Sequence, residues 1–426
     1  MKNIMTIPAM VAARKSLLAT AIALTSLSTF SDELPLATDT HRIDTLGMII
    51  SEEEKAAIAT AMEYGREISR AAEKVNGLPY RRDAHAKATG CVRATFSVNG
   101  DIPEHYQHSV FKSPASEFQA WIRFSNGDMT VQKDEKPDAR GMAIRVVGVP
   151  GEKIAPELPD SNVQDFIMTN TPAFFNRNVF DYVDNMEYLT RLDRTGWFIG
   201  LFPPRLHPKR FYRATQTVSQ KINNPLQPQY YSMLPYRLGE VPVKFSVKPC
   251  PGMSFSKKVD KSSFDFLTEQ MSNTLNSDAA CFDFMVQEKR PGANMPLDDA
   301  TVIWSEKESP FVPIAKVYIP PQMFTSEAQQ SFCENLSMNP WHGVGEWEPL
   351  GSLNRSRRLV YFAVSSFRHD QNRAKFSNPS NWCLERDGSC DASEFLKEVT
   401  TKPSIKPNFD PLFKPIDGEK AKEASW

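Results

Sequence analysis

Short alternating or apolar runs, never set in a regular strand–helix–strand rhythm, constrain this chain more than any other feature does. Cys91 to Val98 (CVRATFSV) alternates, and Ala120 to Phe124 (AWIRF) does so less cleanly. Met142 to Val149, Asp165 to Thr169, Val241 to Val247, Cys281 to Gln287 and Ile314 to Ile319 also read as strands. Helices fall before and after these strands. Ser51-Glu-Glu-Glu54 is a capping box, and Ala57, Ile58, Ala61, Ile68 and Ala72 follow at near-helical spacing up to Gly77. Further helices are expected over Phe174 to Leu192, Ser263 to Leu275 and Ser326 to Leu336. The pattern points to an α+β fold around an antiparallel sheet, with a closed β-barrel as one form of it.

Composition excludes some functions. The formal net charge of −1 gives no electrostatic case for nucleic acid or an anionic membrane surface. No later stretch is long and apolar enough for a membrane span. The first thirty residues hold no acid, and a run from Leu17 to Leu27 (LLATAIALTSL) precedes a small-residue Ser26-Leu27-Ser28 site. This reads as a secretory signal peptide, implying a secreted or periplasmic protein; an organellar transit peptide is the alternative. The expected organisation is a signal peptide over 1–30, an N-terminal arm and helix over 31–78, a main domain over 79–375, and a proline-rich arm or tail over 376–426. None of the six cysteines forms a zinc pattern. Either Cys383 pairs with Cys390 in their polar loop, or all six are thiols.

The richest chemistry lies in Arg357 to Arg368, RRLVYFAVSSFR. As a helix it makes Arg357 and Tyr361 neighbours at i, i+4 and returns Arg368 to the same stripe. A guanidinium beside a phenol favours the phenolate, an anionic donor able to hold ferric haem iron. The plain alternative is a core tyrosine beside a basic face. Upstream, His85 lies in Arg82-Asp-Ala-His-Ala-Lys87, where a polar residue at a strand entrance is the simplest reading. Arg123-Phe-Ser125 ends a strand, Asp138-Ala-Arg-Gly141 opens the next, and Asp165 to Phe175 (DFIMTNTPAFF) runs into a proline-marked turn.

Taken in order, these segments resemble the haem-binding core of the monofunctional catalases. RDAHAK is similar to the distal-histidine segment, RFSNG to the strand with a haem-contacting arginine, and DARGMAIR to the DPRG-type strand. NTPAFF is similar to the NNTPxFF turn, and RRLVY to the proximal R-x-x-x-Y helix. The EWEPLGSLNRSRRLVY segment resembles most the small bacterial catalase-related haem peroxidases, which lack the C-terminal helical domain of full-length catalases. The resemblance implies a catalase-like antiparallel barrel with surrounding helices, binding haem b.

It also implies roles. Tyr361 would ligate the iron and Arg357 would keep it ionised. His85, on the opposite face, would shuttle a proton between peroxide oxygens. Arg123 and Arg368 would pair with the haem propionates, with Arg82, Ser125, Tyr182 and Lys87 as further pocket members. Thr169 stands where catalases have the first of two distal asparagines, and only Asn170 is kept, so peroxidase activity is expected to exceed disproportionation. The partners implied are a small-molecule peroxide, hydrogen peroxide or organic, and a reductant the sequence does not name. Full catalases are tetramers, which leaves a homo-oligomer as an expectation. Rearrangement of a fatty-acid hydroperoxide, as in allene oxide synthases, is a second reading. A haem-binding protein of this fold with little turnover is a third.

Overall fold

A computed structural model describes residues 50–384 apart from 157, 159–161, 201–203, 257, 378 and 380. The expected signal peptide, the arm before the first helix, Cys390 and most of the C-terminal tail lie outside the described residues.

Helix α1 (Glu52–Asn76) starts where its sequence says it should: the Ser51 hydroxyl accepts from the Glu54 N–H at 3.2 Å. It ends at Gly77, whose φ of +71° lies in the left-handed half of the map and suits a residue without Cβ. The strands follow as β1 (Ala88–Val98), β2 (Glu117–Asn126), β3 (Arg140–Val147) and β4 (Val163–Thr169). Then come α2 (Val179–Leu189), the short hairpin β5 (Ile199–Gly200) and β6 (Arg205–Leu206), and α3 (Pro208–Val218). Further on lie β7 (Tyr230–Tyr231), β8 (Tyr236–Leu238), β9 (Val241–Pro249), α4 (Phe266–Leu275), β10 (Ala280–Glu288) and β11 (Val312–Ile319). The last elements are α5 (Glu327–Asn335), β12 (Trp347–Pro349) and α6 (Ser352–Gln371). Every long strand read from the sequence is present. The helix expected from Phe174 starts only at Val179, capped by Asn178, because the chain first turns at Thr171-Pro172.

Pairing runs β10–β11–β1–β2–β3–β4–β7–β9 and closes through β9 to β10, all antiparallel, so eight strands make a closed barrel. Strands β8 and β12 extend it beside β9. The barrel is filled rather than open. Phe96, Phe166, Phe245 and Phe284 meet inside, with Phe166 and Phe284 centroids 4.7 Å apart and Trp347 against Phe166 at 5.3 Å. Residues at the next positions point the other way, as the pleat requires. Trp121, Arg123 and Ser125 on β2, with Gly141, Ala143 and Arg145 on β3, therefore share the outer face, beneath the helices.

One cluster on that face ties strands to the α5–β12 connection. Arg145 makes two bonds to Asp165 (2.8 and 2.7 Å) and a third to the Ser337 carbonyl (2.7 Å), with His342 Nδ1 2.7 Å from the same carboxylate. Burial pushes the Asp165 carboxyl up, but Arg145 and His342 more than offset it and hold it below the usual range. The six cysteines are not all thiols: Cys383 is disulfide-bonded, and Cys390, its expected partner, lies outside the described residues. Cys250 and Cys281 are joined, with Cα atoms 5.3 Å apart, linking the end of β9 to the start of β10, while Cys91 and Cys333 are free thiols. Sequence spacing carries no signal for that pairing, because two strands bring the residues together.

Removing the Asp165 charge should be costly, since it strands a buried guanidinium. We expect Asp165→Asn to lose roughly 3–5 kcal/mol in urea denaturation followed by circular dichroism, and Asp165→Leu combined with Arg145→Met to lose clearly less.

Candidate active site

Helix α6 is aimed before it is packed. Gly351 has φ +85°, and a Cβ there would lie 2.6 Å from the Leu297 carbonyl oxygen, so only glycine permits this entry. Asp298 then accepts from the Ser352 N–H (2.6 Å) and hydroxyl (2.7 Å), occupying the helix start. Glu54 of α1 holds Arg355 through two bonds of 2.6 and 2.9 Å. Asn354 donates to the Pro235 carbonyl at 2.9 Å and accepts from Arg357 at 3.0 Å. Arg357, fixed in this way, donates to the Tyr361 hydroxyl at 3.1 Å. The i, i+4 pairing expected from the sequence is therefore made, and a second set of bonds orients it.

Tyr361 lines a cavity with about 850 Å³ of non-atom space, mouth included, within the size range of ligand pockets. His85 lines it too, from the turn leading into β1. Its φ of +57° is uncommon outside glycine and is fixed from both sides. Its N–H donates to Gly127 at 3.0 Å, and its carbonyl accepts from Arg123 at 2.9 Å. The ring packs against Gly141, where a Cβ would fall 2.6 Å from Nδ1, and Nδ1 lies 3.0 Å from the Ser125 hydroxyl. Burial, then the charges of Arg123, Arg82 and Arg357, pull the imidazole down to about 4. The ring is a neutral base at ordinary pH.

One edge of the cavity is cationic. Glu334 of α5 receives Arg82 at 3.0 Å, Arg368 at 3.4 Å and Arg81 at 3.8 Å. Burial pushes its carboxyl up, but Arg82, Arg368 and Arg81 bring it down to about 2. Arg123 stands beside them, brought down to about 10 by burial and by Arg82; Arg368 is brought down to about 9, again mainly by burial. A single carboxylate cannot neutralise four guanidiniums, and the Nε atoms of Arg123 and Arg368 are buried without a partner. The edge is built for anionic oxygens, and a group carrying two carboxylates fits it.

The structure brings together Arg82, His85, Arg123, Ser125, Tyr182, Tyr361 and Arg368 around this one cavity, with Arg357 behind Tyr361. Three expectations need correction. Arg368 does not flank the phenol; it turns to Glu334. Asn170 is not at the cavity: its side chain accepts from the Arg140 N–H at 2.7 Å and donates to Thr217 at 3.2 Å, fixing the β4 turn against α3. Lys87, in the bend just before β1, is held away from the cavity between Asp134 (2.7 Å) and Asp265 (2.8 Å). Thr169 is intermediate. It is the register partner of Gly141 with a buried, unpartnered hydroxyl, but it is not part of the cavity lining. Sequence reasoning passed over Glu334, which sits in a helix without a motif. It also passed over Asp83, a cavity-lining carboxyl that burial raises to about 6.

Glu334 gives a pH test. Its folded value lies below its ordinary one, so its contribution to stability is complete above about pH 4.5 and fades as pH falls toward 2. In urea titrations between pH 5 and pH 3, the wild type should lose stability more steeply than Glu334→Gln, which should already be weaker by several kcal/mol at pH 7, about what a broken buried pair costs.

No protein-family model and no curated protein sequence matches the chain. Solved structures do. A bacterial catalase is similar at 18% identity over 79% of this chain, with a TM-score of 0.52, and the chain spans 66% of that protein. A fungal catalase is similar at 16% identity, covering 82% of this chain and 72% of its own, with a TM-score of 0.55. Catalase A from Saccharomyces cerevisiae is similar at 16% identity, covering 89% and 78%, with a TM-score of 0.56. The closed eight-stranded antiparallel barrel, with its helices packed outside, is the catalase fold.

Proposed function

We propose that this protein is a haem-dependent, peroxide-reducing enzyme. The observation that carries the reading is the joint presence of Tyr361 and His85 on one cavity whose edge offers unpartnered guanidinium donors. Haem b fits this donor set. Tyr361 would hold the iron, and Arg123, Arg368 and Arg82 would face the propionates. When bound, the haem would supply the two-electron chemistry that splits the peroxide bond.

The chain's own residues then manage the proton. Arg357 donates to the Tyr361 oxygen and fixes where that oxygen points. His85 is neutral, and Ser125 occupies its Nδ1, so Nε2 is the nitrogen left to a peroxide. It takes the proton from the nearer oxygen and returns it to the farther one, which leaves as water or alcohol. The apolar wall of Met142, Ile167, Met168, Leu336, Met338 and Val364 favours organic hydroperoxides alongside hydrogen peroxide. The diversion of Asn170, with Thr169 outside the lining, removes a second polar handle for hydrogen peroxide, so peroxidase turnover exceeds disproportionation in this reading. The Cys250–Cys281 disulfide supports an oxidising compartment, secreted or periplasmic.

The test is the absorption spectrum of the purified protein after haem is supplied, wild type beside Tyr361→Phe. A high-spin ferric spectrum that changes or vanishes in the variant is expected; a wild type that takes up no haem would overturn the reading. His85→Ala should keep the wild-type haem content while peroxide consumption falls by about 10²–10⁴. Product analysis with a lipid hydroperoxide should give the alcohol with oxidised donor; a rearranged product would move the assignment to hydroperoxide isomerisation.

A further inference from the structure

Behind the guanidinium edge lies a second, smaller cavity, with about 320 Å³ of non-atom space. Two sulfurs line it: Cys91, from β1, and Cys333, from α5, with Gly90, Thr268 and Glu334 nearby. Both are free thiols, both are buried, and their side chains are in hydrogen-bond contact with each other. Cys91 is the register partner of Arg123, so it sits directly beside one of the four guanidiniums. Cys333 immediately precedes Glu334, and its carbonyl lies 3.5 Å from an Arg82 nitrogen. Trp121, Phe332 and Leu336 complete the packing around the pair.

Two cysteines that merely fill a core need neither cationic neighbours nor an adjoining cavity. Here the environment separates the two sulfurs. Burial pushes Cys333 up, but the hydrogen bond from Cys91 and the charges of Arg123 and Arg82 bring it below its ordinary value. Burial and its bond to Cys333 leave Cys91 well above. The guanidiniums of Arg123 and Arg82 favour negative charge on Cys333 over Cys91, and the two sulfurs are in contact, the arrangement that oxidation to a disulfide requires.

We infer that Cys91 and Cys333 are a redox pair that a hydroperoxide closes to an intramolecular disulfide. The Cys333 thiolate attacks the terminal peroxide oxygen, the O–O bond breaks, and water or alcohol leaves after taking up a proton. Cys333 is then a sulfenic acid. Cys91 attacks that sulfur, the S–S bond forms, and the hydroxyl leaves as water with the Cys91 proton. Two thiols are oxidised and one peroxide is reduced. The new bond ties α5 to β1 beside Glu334, the residue that holds Arg82 and Arg368, so the pair reports peroxide exposure to the cationic edge of the larger cavity. Nothing in this step requires haem.

The experiment uses the full chain, prepared without haem and treated with stoichiometric hydrogen peroxide. After quenching, the protein is unfolded in an alkylating reagent and its peptides are mapped by mass spectrometry. We expect the Cys91 and Cys333 peptides to lose their alkylated forms together, to appear as one joined peptide, and to be restored by dithiothreitol. In Cys91→Ser, Cys333 should be trapped by dimedone as its sulfenic acid; in Cys333→Ser, Cys91 should stay alkylatable. If the wild type keeps both thiols alkylatable at peroxide levels that oxidise its methionines, the inference fails. It also fails if Cys333 proceeds to sulfinic acid with no joined peptide. The wild-type map decides the matter even if a serine variant does not fold. Because the readout is covalent and haem-free, its failure is distinct from failure of the haem reading.

Discussion

The pleat of a filled barrel governs everything else in this structure. Aromatic and aliphatic side chains fill the barrel interior, and the cavity lies against its outer face. Arg123 and Ser125 on β2, and Gly141 on β3, reach the cavity for that reason alone. Tyr182 of α2 and Tyr361, Val364, Ser365 and Arg368 of α6 then cover that face and complete the cavity.

Charge balance is the second organising constraint. Four guanidiniums gathered about one carboxylate would repel one another strongly if the site were meant to be closed and dry. Glu334 satisfies part of that charge and leaves donors on Arg123 and Arg368 without a protein acceptor. The surplus gives the cavity a preference for anionic groups and lowers the proton affinity of His85 and of the Cys333 thiol. One cluster of arginines therefore tunes a base on one side and a sulfur on the other. A buried like-charge group is costly enough that its neighbours are expected to carry out chemistry rather than packing alone.

The residues that depart from expectation share a cause. Asn170 and Lys87 both have the right type and the right position along the chain, but each found a stronger local partner. Asn170 satisfies a strand-start N–H and a helix-end carbonyl, and Lys87 neutralises two buried or half-buried carboxylates. A buried polar group takes the partners that satisfy it most fully, whatever role its motif suggests.

The sequence by itself determined the local elements and the near-neighbour chemistry. Period-2 alternation located the long strands, Ser51 and Gly77 bounded α1, and the i, i+4 spacing of Arg357 and Tyr361 fixed a hydrogen bond that needs only one helix. These are interactions within a single element, where residue spacing is geometry. Only the tertiary structure decided which elements meet. Glu334 under three arginines, Cys91 against Cys333, the Cys250–Cys281 bond and the closure of β9 on β10 all join residues far apart in the chain. Such partners are selected by the packing of whole strands and helices, and no spacing along the chain encodes that choice.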